Sequence, residues 1–151
     1  MKKRLMEENK LMVGDWVKYT LTDISIRIAG LIKHYLHGYT VYAYTGTYNQ
    51  LQSFSSDYVE PIPLTEELLL KNGFVQPFKD DSSIYCEAKE NVDWFYRINI
   101  HYDVQEGFFI DAYITNKKHL HSEKDFSGLI KYVHELQHIL FVSGIEKEID
   151  V

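Results

Sequence analysis

The chain is poor in cysteine, in proline and in positive charge. Cys86 is the single cysteine of 151 residues, so no disulfide can form within the chain. A chain of this length can bury about 70% of its unfolded surface and needs no such staple. A lone thiol in a strand-like run is expected to be buried and unreactive, and its pattern fits a reducing, cytoplasmic setting. Lys and Arg number 16 against 22 Asp and Glu, for a net charge of −6. That deficit disfavours a nucleic-acid partner, because neutralising phosphates needs clustered cations. The only basic cluster, Lys2-Lys3-Arg4, is soon followed by Glu7 and Glu8 and reads as a solvated tail. Glu7, Glu8 and Lys10 also interrupt any secretory apolar region. No uninterrupted apolar run reaches membrane-spanning length, so no membrane partner is expected. The 8 glycines are scattered, with no phosphate-cradling loop among them.

What the chain has in quantity is tyrosine, 12 residues within an aromatic share of 15%. Tyrosine favours half-buried pleated surfaces, so the composition leans toward strands. Residues 1–60 read as an all-β subdomain, a small SH3-like β-barrel or curled sheet. Trp16 and Lys18 alternate with Val17 and Tyr19, and Ile24, Ile26 and Ile28 alternate with polar residues. Leu31 to Leu36 and Tyr39 to Tyr44 are expected to pair across His37-Gly38, where glycine supplies a positive φ. Tyr35, Tyr39, Tyr42, Tyr44 and Tyr48 crowd this hairpin. They are candidates for contacting a protein partner or stacking bases, and they equally suit the filling of a small barrel.

Glu60-Pro61-Ile62-Pro63 marks a boundary, since two prolines one residue apart cannot sit inside a strand. Residues 61–151 then read as an α-β-β-β-α subdomain, which makes the whole an α+β chain. Thr65 is the expected N-cap of a short helix, Gly73 its C-terminal stop, and Leu64 with Leu69 a hydrophobic staple. Strands are expected near Ile84–Ala88, Asp93–Tyr102 and Gly107–Thr115. In the second, Ile98 and Ile100 share a face opposite Arg97, Asn99 and His101. Asp103 and Glu106 suit a hairpin turn, and Asp80-Asp81 a solvated loop. A last helix, about 126–142, is expected to cover the sheet. Its stripe of Leu129, Val133, Leu136 and Leu140 should meet Ile98, Ile100, Ile110 and Ile114.

That helix contains His134-Glu135-Leu136-Gln137-His138, a match to H-E-x-x-H. On a helix the spacing puts two imidazoles on one face beside a carboxylate, the arrangement by which zinc proteases hold metal and base. A catalytic zinc needs a third ligand. Phe141 and Gly144 occupy the places where the extended motif has glycine and histidine, and only 13 residues follow His138. His101, His119 and His121 lie upstream. With the apolar stripe turned to the sheet, His134 and His138 are expected on the solvated face.

Three segments carry a resemblance. They are Val13-Gly14-Asp15-Trp16-Val17, the run from Val59 through Pro61-Ile62-Pro63-Leu64-Thr65-Glu66-Glu67 to Phe74, and Ile130-Lys131-Tyr132-Val133-His134-Glu135-Leu136-Gln137. Together they resemble a family of small uncharacterised proteins common in gut bacterial genomes and their phages and mobile elements. The resemblance implies no catalytic residues. It also implies Asn at the place of His138, which leaves the second imidazole peculiar to this chain.

The leading expectation is therefore a non-enzymatic accessory or binding protein of phage or mobile-element origin. It has no cofactor, no catalytic residue and no metal ligand, and an unidentified protein is its partner. The first alternative is a small zinc-dependent hydrolase with His134 and His138 as ligands and Glu135 as base. The second is a nucleic-acid adaptor acting through the tyrosine-rich subdomain.

Overall fold

The structure is a computed structural model and describes residues 11–35, 38–45, 50–75, 83–86, 93–103, 105–119 and 121–151. Lys2-Lys3-Arg4, Tyr48 and Asp80-Asp81 lie outside the described residues, as do the side chains of Cys86, His121 and Phe126. The chain divides into two compact units, residues 1–63 with Val151, and residues 64–150. The architecture is mixed α and β, with two antiparallel sheets and two helices among the described residues.

The first unit holds β1 (Trp16–Tyr19), β2 (Ile24–Lys33), β3 (Tyr39–Thr45), β4 (Gln50–Ser55) and β5 (Val59–Pro61). They lie in the order β4-β3-β2-β1-β5, and a 3₁₀ turn, Ser56–Tyr58, joins the last two in sequence. The two apolar runs around Ile26 and Leu31 are one ten-residue strand. A bulge between Ile28 and Gly30 explains how. Ile26 and Ile28 occupy even positions and Leu31 an odd one, so a regular strand would send them to opposite faces. The extra residue restores the phase, and Leu31 packs against the same core as Ile26 and Ile28.

β3 pairs with β2 from Lys33↔Tyr39 to Arg27↔Tyr44. Gly38 turns the chain between them at φ +66, and a Cβ there would meet Ser56 Oγ at 2.7 Å. β4 and β5 end the ladder on opposite sides, and among the described residues no pairing between them closes a barrel. In a flat sheet these edges would stand about 19 Å apart, at four strand spacings. Phe54 of β4 and Val59 of β5 nevertheless belong to one buried cluster with Val17, Ile26, Ile28 and Val41. The sheet is therefore strongly curled.

The second unit opens with α1 (Glu66–Lys71). Thr65 Oγ1 accepts from Leu68 N at 3.2 Å, Gly73 ends the helix at φ +75, and Leu64 and Leu69 are both buried. A sheet follows in the order β6-β7-β8-β9, from β6 (Ser83–Cys86), β7 (Trp94–Asp103), β8 (Gly107–Asn116) and β9 (His121–Ile130). The β7–β8 hairpin turns on Asp103, whose Oδ1 accepts from Gln105 N at 2.7 Å and Glu106 N at 2.9 Å. Helix α2 spans Val133–Val142.

This corrects the sequence reading, which starts the last helix near 126. Residues 121–130 are a fourth strand, paired with β8 from Asn116↔His121 to Phe108↔Ile130. Ser, Glu, Lys, Asp and Gly fill most of that segment, so neither strand propensity nor alternation marks it, and pairing with β8 decides its form. The unit is thus α-β-β-β-β-α. Leu129 leaves the helical stripe and is 46% exposed on β9. Val133, Leu136 and Leu140 remain fully buried, as are Ile98, Ile100 and Ile110, while Ile114 is only partly so. At the far end of α2, Ser143 Oγ donates to Tyr96 OH on β7 at 3.0 Å.

Candidate functional site

Because α2 begins at Val133, His134 is its second residue and Glu135 its third. Glu135 folds back over the helix start, where its Oε2 accepts from Lys131 N at 2.7 Å and Tyr132 N at 3.1 Å. This is the carboxylate half of a capping box, satisfying backbone donors that the helix cannot satisfy itself. The charge also sits at the positive end of the helix dipole. The glutamate of H-E-x-x-H is thus occupied by the backbone.

The histidines correct the expectation of a solvated face. His134 is 4% exposed and His138 is partly buried. The helical wheel places His134 well away from the apolar stripe, but Tyr132 lies before the helix and covers it. The Tyr132 and His134 rings stack at 5.7 Å and 9°. His138 meets the His134 ring edge to face, with centroids 5.8 Å apart and planes at 68°. The three rings form a contiguous ring cluster along the first turns of α2. Among the described residues, no third His, Cys, Asp or Glu completes a cluster with this pair. Of the upstream candidates, His101 faces Asp111, with 3.8 Å between Nε2 and Oδ2. His119 lies in an exposed turn and donates its N–H to Asn116 Oδ1 at 3.2 Å.

The tyrosine belt divides by strand parity. Tyr39, Val41 and Ala43 face the core and are buried. Tyr42 and Tyr44 point outward, and Tyr35, ahead of the β2–β3 turn, is fully exposed. On the outer face a row runs across four strands in register, Trp16↔Arg27↔Tyr44↔Leu51. Tyr44 is 58% and Leu51 53% exposed, and Ile32 on the same face is 53% exposed. In the next row Gly30 stands opposite Tyr42, so β2 has no side chain directly across from that residue. The one cation of the first row, Arg27, donates from Nε to Gly14 O at 3.0 Å.

The sequence reading missed a polar row on the second sheet, Asn99↔Asp111↔Ser127. Asp111 is 8% exposed and Asn99 7%. Lys124 Nζ reaches Asp111 Oδ1 at 2.7 Å. Burial pushes the Asp111 carboxyl up. Hydrogen bonds from Lys124 and Ser127 and the charges of Lys124 and His101 outweigh it, holding the group below its ordinary value. Ser, His and Asp meet here, but the aspartate lies between the other two. A nucleophilic triad needs the histidine in the middle, so this cluster reads as an ion network that fixes the β7–β8–β9 register. Asp on one strand opposite polar residues on its neighbours was the available signal, and it required the pairing to be known.

Comparison with protein-family models, with curated proteins and with solved structures returns no match. The segments that carry the resemblance have structural work of their own. Gly14 adopts φ +99 and its N–H donates to Ile28 O at 2.7 Å. Asp15 is buried, with Oδ2 accepting from Met12 N at 2.7 Å. Leu64 N donates to Lys131 O at 2.9 Å, which joins the second segment to the third.

Proposed function

We propose that this chain is a non-enzymatic accessory or binding module of phage or mobile-element origin, working in the cytoplasm and recognising a protein partner. We read its first unit as SH3-like. The strand order β4-β3-β2-β1-β5 and the 3₁₀ turn between β4 and β5 support that reading. The observation that carries the binding reading is the outer row Trp16–Arg27–Tyr44–Leu51. It sets an exposed aromatic directly opposite an exposed leucine on paired strands. Aromatic side chains with a single arginine suit the centre of a protein interface. The row's lone cation is tied to a backbone carbonyl, which disfavours a phosphate backbone as the ligand. The capping role of Glu135 speaks for the non-enzymatic side, since a general base must be free to take a proton.

Affinity capture from the producing cells should retain a partner on the native chain. A Tyr44→Ser, Leu51→Ser double variant with an unchanged melting curve should lose it. Equal retention by both would remove the outer row from the function. Near-stoichiometric zinc in protein purified without an affinity tag, lost in His138→Asn, would replace this reading with the hydrolase.

A further inference from the structure

Asn72-Gly73 is the only Asn-Gly pair in the chain. Such a pair can deamidate without an enzyme. The glycine nitrogen loses its proton to base and attacks the asparagine Cγ, and the Cγ–Nδ2 bond breaks to release ammonia. Water then opens the cyclic imide at either carbonyl, leaving aspartate or isoaspartate. Glycine favours the attack because it has no Cβ to block the approach and its backbone turns freely.

The fold opposes each step. At Asn72 ψ is 13, which turns the Gly73 nitrogen toward the backbone nitrogen of Asn72 and away from its side chain. The Gly73 N–H is engaged as well, donating to Leu70 O at 3.0 Å. Nδ2, the leaving group, donates to Leu68 O at 2.9 Å and to Asp150 O at 2.8 Å, and Oδ1 accepts from Asp150 N at 2.7 Å. Two of these three side-chain bonds are made with residue 150. Residues 145–150 belong to no helix or strand and are fastened around the same place. Lys71 Nζ lies 3.4 Å from Asp150 Oδ2, Lys147 Nζ lies 5.1 Å from the centre of the Phe74 ring, and Ile149 is buried. Gly73 is exposed and Asn72 only partly buried, so base and water reach the pair.

We propose that Asn72-Gly73 is a deamidation site gated by residues 145–150, and that the reaction acts as a one-way latch. While the segment is docked, the amide cannot turn to meet the Gly73 nitrogen. When it lifts, the side chain loses two of its three bonds and swings free. The product then opposes redocking. A carboxylate oxygen takes the place of Nδ2 and faces the carbonyl oxygens of Leu68 and Asp150, so acceptors meet with no donor between them. The new charge lies at the negative end of α1 and beside Asp150. Isoaspartate also adds an atom to the backbone and breaks the turn that ends α1. This inference concerns the second unit alone and does not rest on the binding role of the outer row.

The test incubates the full chain in mildly alkaline buffer and follows conversion at residue 72 by peptide mapping with mass spectrometry. The folded native chain should convert at least about tenfold more slowly than the same chain in guanidinium chloride, because the reaction must wait for local opening. Ile149→Ala, which truncates a buried side chain of the gating segment, should close most of that gap with an unchanged circular dichroism spectrum. If that variant loses its spectrum, Asp150→Pro makes the same test by removing the N–H from which Asn72 Oδ1 accepts. In Asn72→Asp, which imitates one product, hydrogen exchange should show the Asp150 amide losing its protection while α2 keeps its own. A native chain that converts as fast as the unfolded one would overturn the gate, as would a gating-segment variant that converts no faster than the native chain. An Asp150 amide equally protected in Asn72→Asp would overturn the latch.

Discussion

The rings of Tyr19 on β1 and Phe54 on β4 meet edge to face, with centroids 4.7 Å apart and planes at 63°. Two strands separate β1 from β4, so a flat sheet would hold them about 14 Å apart. This contact measures the curl of the first unit directly. Phe54→Ala should cost about 3–5 kcal/mol in urea unfolding, as for other packed phenylalanines. Phe54→Leu should cost clearly less, because it keeps most of the apolar volume. Equal losses would mean that ring geometry, not burial, holds the curl.

Glu135 separates a cap from a base. Glu135→Ala should lower stability by about 1 kcal/mol, the usual cost of removing a helix cap. Glu135→Gln should recover most of it, since glutamine serves in a capping box. Thermal melts of the two variants decide. A stable Gln variant with lost hydrolytic activity would point to general-base chemistry instead.

Leu136 and Leu129 test the revised start of α2. Leu136→Ala should cost about 2–5 kcal/mol, because it empties a fully buried site. Leu129→Ala, on the exposed face of β9, should stay within about 0.5 kcal/mol. Comparable losses would restore the longer helix.

Asp111 predicts a pH dependence. Its carboxyl sits below the ordinary value in the folded chain. The ionised form therefore stabilises the fold above about pH 4, where an unfolded aspartate is also charged. That contribution is lost as the pH falls through the folded-state value. Asp111→Asn should cost about 1.5–3 kcal/mol at neutral pH, in line with hydrogen bonds to charged groups. The gap to the native chain should shrink as the pH is lowered below 4. A gap independent of pH would assign the loss to packing alone.

Strong local signals made part of this molecule legible in its sequence. Alternation marks β7 and β8, and Thr65 with Gly73 brackets α1 within a residue or two. Where pairing overrides composition, legibility ends. β9 contains too many polar residues to read as a strand, and assigning its last part to α2 misplaced Leu129 and turned His134 outward. The bulge in β2 leaves no trace beyond a change of phase between Ile28 and Leu31. Tyr39, Tyr42 and Tyr44 look alike in sequence, yet their parity puts the first in the core and the others outside. Glu135 could be read as a cap only once the helix start was known.

Asn72 has a consequence for the order in which the chain can mature. Its Nδ2 donates to Leu68 O at 2.9 Å and to Asp150 O at 2.8 Å, while its Oδ1 accepts from Asp150 N at 2.7 Å. One amide side chain thus closes a six-residue helix and imitates a strand partner for a peptide group 78 positions later. A helix that short has little stability of its own. During synthesis the strands of the first unit are all out before α1 is made, and they can condense on one another at once. α1 must wait for a residue 78 positions later, so the ribosome delivers this helix long before the peptide group that fastens it.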